Sequence, residues 1–76
     1  MLDKKTLKVG DVCEVQKNMT VMPIDDFDYG TAKPGMKFEV VNLPKKIQGV
    51  NLLTIKIDHQ VWWVHWNTAR ICSKII

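Results

Sequence analysis

Four side chains in this 76-residue sequence belong to types that attack carbon centres, shuttle protons or hold soft metals: Cys13, Cys72, His59 and His65. Zinc needs thiolates and imidazoles that converge, and neither cysteine opens a Cys-x-x-Cys or Cys-x-x-His pattern. A nucleophile needs a base beside it and a sheltered pocket, whereas His59 falls at a turn and His65 in an extended run. Two cysteines are too few for a disulfide framework, and free cysteine is among the most buried residue types, so Cys13 and Cys72 are expected as inert core. Asp25, Asp26 and Asp28 suggest a calcium loop only superficially, because the glycine and distal glutamate of EF-hand spacing are missing. A solvated acidic loop is the expectation there. With no phosphate-binding glycine motif either, the chain is expected to be no enzyme and to carry no cofactor and no metal.

Binding remains, and it depends on how a small chain presents its surface. At 8.8 kDa the protein is read as one domain over residues 1–76, and a chain of this size hides only about 60% of its surface on folding. A core that thin leaves little room for an enclosed active site. The 46% hydrophobic share against 25% charged argues for a folded chain. No run is long and apolar enough for a membrane span, and the opening Met1-Leu2-Asp3-Lys4-Lys5 lacks the apolar core of a signal peptide. A cytoplasmic, complete small gene product with no membrane partner is expected, residues 1–6 forming a flexible basic tail.

Turn-forming residues divide the chain into short runs rich in Val, Ile, Phe, Trp and Thr, each of strand length. Strands are expected at residues 11–16, 20–24, 36–42, 52–57, 61–66 and 70–74. Pro23 cannot donate to a ladder and belongs at a strand end or an edge. In the hairpin 52–66, alternation puts Leu53, Ile55 and Ile57 on one face and Leu52, Thr54 and Lys56 on the other. A two-residue loop at His59-Gln60 opposes Ile57 with Trp62, Ile55 with Val64 and Leu53 with Trp66 in the core. It also sets Trp63 beside Lys56 and His65 beside Thr54 on the outer face, making Trp63 the exposed tryptophan. A three-residue loop reverses the faces and exposes two indoles, which apolar burial disfavours.

The segments Val9-Gly10-Asp11-Val12-Cys13-Glu14-Val15, Pro34-Gly35-Met36-Lys37-Phe38-Glu39-Val40 and Val61-Trp62-Trp63-Val64-His65-Trp66, leading to Asn67-Thr68-Ala69-Arg70-Ile71, together resemble the SH3-like barrel class. The resemblance implies an all-β fold, a small barrel of five or six short antiparallel strands. In it, residues 25–35 correspond to the long arginine-threonine loop and residues 67–69 to the short helical turn before the last strand. The hydrophobic-Gly-Asp-x-Val opening is also similar to small ribosomal and transcription-factor barrels that bind RNA or protein. The chain lacks the Ala-Leu-Tyr-x-Tyr segment of eukaryotic SH3 domains and has only Tyr29, so proline-peptide recognition of that kind is not expected.

Two binding classes follow. Trp63, Lys56 and His65 share the outer face, and Phe27 and Tyr29 lie in the loop with Asp25, Asp26 and Asp28; folded together they would form an aromatic groove with an acidic rim for a basic or amphipathic protein segment. A small regulator or inhibitor of the kind phages and mobile elements encode fits that pattern. The alternative is nucleic acid, stacked on Trp63 or Tyr29 and held by Lys4, Lys5, Lys8, Lys45, Lys46, Lys56 and Arg70. Eleven basic against eight acidic residues permit this without demanding it, and three aspartates beside the aromatic platform would oppose it. Self-association through a sheet edge or the tryptophan face is a third role.

Overall fold

The computed structural model describes residues 1–25 and 27–76. Among the described residues, seven strands and one helix follow in order: β1 (Val12–Val15), β2 (Met19–Pro23), β3 (Gly30–Ala32), β4 (Lys37–Ile47), β5 (Val50–Ile57), β6 (Gln60–His65), α1 (Trp66–Cys72) and β7 (Ser73–Ile75). The fold is all-β: a single antiparallel sheet in the order β3-β2-β6-β5-β4-β1-β7, curled into a half-barrel. The expected five or six strands are therefore seven.

Two differences from the expected elements stand out, and the first supplies the seventh strand. The loop expected over residues 25–35 contains β3, which pairs with β2 through Met19 and Ala32, so the true connection is residues 24–29. Three residues beginning with glycine carry too little apolar pattern to announce a strand. At the other end, the expected strand 70–74 is replaced by α1 and then β7. Trp66 and Ala69 are the buried pair of this helix, one helical turn apart, and seven residues are too few to display that period clearly.

The longest strand, β4, was expected to stop at residue 42 because Leu43-Pro44 reads as punctuation. It continues to Ile47 through two register shifts, one between Val40 and Asn42 and one between Asn42 and Lys45. Pro44 falls inside the second, where the interrupted ladder does not need its missing N–H. Extra residues at bulges bend a strand and strengthen its twist, which helps this hairpin wrap the core. Its loop, Gln48-Gly49, has φ of 52° and 82°, the all-positive geometry of a type I′ turn.

The core is filled from the inward rows: Cys13 and Val15 on β1, Val21 on β2, Phe38 and Val40 on β4, Leu53 and Ile55 on β5, and Val64 on β6. Leu2 and Leu7 join it from the N-terminal segment, where the Leu2 amide donates to the Arg70 carbonyl at 2.9 Å. Lys4 and Lys5 thus stand on a turn whose two ends are buried leucines. No helix among the described residues is long and apolar enough to cross a membrane.

The β5–β6 loop is Asp58-His59, with φ of 47° and 71°. Left-handed backbone is tolerated by Asp but is costly for most residues without a glycine hydrogen in place of Cβ. Replacing His59 by glycine is expected to raise stability by about 0.5–1 kcal/mol, partly offset by unfolded-state entropy. Urea unfolding checks it; a lower midpoint would mean that the His59 side chain contributes more than the strain costs.

Candidate partner-binding surface

The sequence places the β5–β6 loop one residue too late. The loop at Asp58-His59 opposes Ile55 with Trp62 and Leu53 with Val64, and on the outer face Lys56 with Val61, Thr54 with Trp63 and Leu52 with His65. The pairs differ from those expected, but a loop of the same length moved by one residue keeps each side chain on its face. Lys56, Trp63 and His65 therefore do share the outer face. Trp63 stands opposite Thr54 rather than Lys56 and opposite Met22 of β2 on its other side, and is half-buried instead of fully exposed.

That outer face is more apolar than alternation implied. Leu52 is only 6% exposed although it points away from the core. It lies in a groove of about 290 Å³ formed with Met22, Ile47, Gln48, Val50, Trp63 and His65. The cause is the extension of β4 and β5 beyond their expected ends, which sets Ile47 directly opposite Val50 and brings both alongside the tryptophan strand. Alternation had already put Leu52 on the outer row. Ile47 and Val50 fall between the expected strands and Met22 stands beside Pro23, so the sequence pattern does not single them out for this face.

The acidic loop lies elsewhere. Asp25, Phe27, Asp28 and Tyr29 are all exposed, Phe27 at 94% and Tyr29 at 66%; Asp26 lies outside the described residues. Phe27 thus lies outside the core. Asp25 shares a depression with Ile24, His59, Gln60 and Val61, at the end of β6 remote from His65. Neither Phe27 nor Tyr29 is among the described residues lining the Trp63 groove.

The basic residues are dispersed. Lys4 and Arg70 line one shallow depression with Trp66 and Asp3. Lys45 opposes Leu52 and Lys46 opposes Asn51 at the tip of the β4–β5 hairpin. Lys56 stands opposite Glu39, which offsets its charge. Lys5 and Lys8 are exposed in the N-terminal segment, their amides donating to the side chains of Asp3 and Asp11 at 2.9 Å and 2.8 Å.

Cys13 and Cys72 are free thiols. Burial, reinforced by the Asp11 carboxylate, pushes the Cys13 thiol from 9.0 up to about 11. Since the folded value lies above the unfolded one, the protonated thiol's contribution to stability is complete below pH 9.0 and is lost as pH rises toward about 11. Unfolding midpoints are expected to fall through that window, and less steeply in Cys13→Ala. A thiol reagent should modify half-buried Cys72 in the native protein and Cys13 only on unfolding; equal rates would contradict this. Among the described residues, no group of three or more His, Cys, Asp and Glu is placed to hold a metal ion.

Comparison with protein families, with curated proteins and with solved structures yields no match to this chain.

Proposed function

We propose that the protein is a non-catalytic protein-binding module of the SH3-like type, a small regulator or inhibitor that works by occupying a surface of its partner. The strand order β7-β1-β4-β5-β6 supports the fold reading: it runs through consecutive barrel strands, with the β2–β3 hairpin where the long loop is expected and α1 before the last strand. The function rests on one observation: an open apolar groove built around a half-buried tryptophan on the outward side of the sheet. Apolar groups gathered away from the core expose surface that association buries, and tryptophan is enriched among residues that dominate binding energy. The exposed loop of Asp25, Phe27, Asp28 and Tyr29 supplies peripheral contacts.

Nucleic acid is the second reading, and one observation favours it. The acidic loop lies at the end of β6 opposite the Lys45–Lys46 hairpin, so the repulsion expected beside the aromatic platform is weaker than the sequence implied. Affinity capture from a lysate, washed at low and high salt with and without nuclease, separates the two. Groove binding retains a discrete protein through both treatments. Material held only at low salt and released by nuclease would establish phosphate binding by the lysines, and a second copy of this chain as the sole retained species would establish self-association.

A further inference from the structure

Residues in register share a face, so the outer side of the sheet reads as rows crossing the strands. Beyond the Ile47–Val50 pair beside the β4–β5 loop, the first row is Lys45, Leu52 and His65, the second Asn42, Thr54, Trp63 and Met22, and the third Glu39, Lys56 and Val61. Successive rows are about 7 Å apart along a strand.

Charge changes along these rows. Residues 42–52 include Lys45 and Lys46 and no carboxylate, so Leu52 is flanked by an ammonium on one side and an imidazole on the other. In the third row Glu39 faces Lys56 and the charges offset. Beyond it lie Asp58 in the β5–β6 turn and Asp25, which shares a depression with His59 of that turn. From Leu52 to Asp58 the strand runs roughly 20 Å, more than the ~8 Å over which physiological salt screens exposed charges. Each end of the face therefore presents its own sign to a ligand.

We infer that the groove accepts an amphipathic protein segment in one direction only, with apolar side chains on Leu52 and Trp63 and an acidic side chain against Lys45. The inference rests on the protein-binding reading and adds to it the chemistry and polarity of the occupant. Lys45 on β4 and Trp63 on β6 lie one row apart along the sheet and two strands apart across it, a diagonal of about 12 Å. The acidic residue and the apolar anchor are then about four positions apart in an extended segment, or about seven to eight apart on a helix. An acidic group at the opposite end would meet Asp58 and Asp25 and be rejected by like charge.

The test is selection from a random dodecapeptide display library on the folded wild-type chain, followed by titration of the selected synthetic peptides. Enrichment of an aromatic or aliphatic residue with Asp or Glu at those spacings is expected. Lys45→Glu, an exposed substitution, should weaken the selected peptides about three- to tenfold and, when panned itself, enrich Lys or Arg instead. Trp63→Ala and Val50→Asp should each abolish selection; Val50 is exposed enough that its variant keeps the core intact. Peptides that depend on Val50 and Trp63 but show no acidic preference and bind Lys45→Glu equally would overturn the polarity while leaving groove binding standing. Peptides indifferent to Val50→Asp, or none above background, would overturn both. So would displacement of the peptides by a single-stranded oligothymidylate whose own affinity falls steeply with salt.

Discussion

Ile55→Ala is expected to destabilise the protein by about 2–5 kcal/mol, a loss set by the removed side chain and by how little the cavity left behind can collapse. Ile55 is fully buried on β5, with Val40 of β4 on one side and Trp62 of β6 on the other. It is the middle of a row linking three strands. At roughly 0.05–0.15 kcal/mol per residue, a chain of this length holds on the order of 4–11 kcal/mol in all, so this truncation consumes a large part of the reserve. Urea unfolding should show a lower midpoint with an unchanged slope. Ile55→Val should cost about 0.5–1.5 kcal/mol. An Ile55→Ala midpoint within error of wild type would mean that the row is not the structural centre.

Trp63→Ala is expected to behave in the opposite manner. The indole lies on the outer face and is half-buried, so its removal should cost about 1–2 kcal/mol of stability and leave unfolding cooperative. Partner affinity should fall by about 2 kcal/mol or more, some thirtyfold in Kd, as for a central anchor in a groove. A residue that only packs the fold would show the reverse balance, a large loss of stability with affinity unchanged in the molecules that remain folded.

Much of this architecture was legible because strand parity is robust. The Leu53-Ile55-Ile57 alternation and the run of Trp62 to Trp66 assign the two faces of the β5–β6 hairpin correctly even with the loop placed one residue late, since a two-residue loop at either position keeps the parity. The error arose because Asp58-His59 has no glycine to advertise its left-handed backbone. The β4–β5 extension was hidden for a related reason. Pro44 and Gln48-Gly49 read as one long turn, whereas the proline falls at a register shift and only the Gln-Gly pair turns the chain. Missing that extension meant missing Ile47 and Val50, and with them the aliphatic half of the groove. The outer-face group Lys56, Trp63 and His65 was readable from alternation. Proximity of Phe27 and Tyr29 to Trp63 was not, because the path of a loop is decided by contacts that no local period records.

The most direct test is a titration of the captured protein partner against wild type, Trp63→Ala and Phe27→Ala, each first shown to unfold cooperatively. If the groove is the binding surface, Trp63→Ala weakens binding about thirtyfold or more, while Phe27→Ala, at a residue that is not among those lining the groove, changes it less than about threefold. Wild-type affinity in Trp63→Ala, with the loss confined to Phe27→Ala, would contradict the assignment and move the site to the acidic loop.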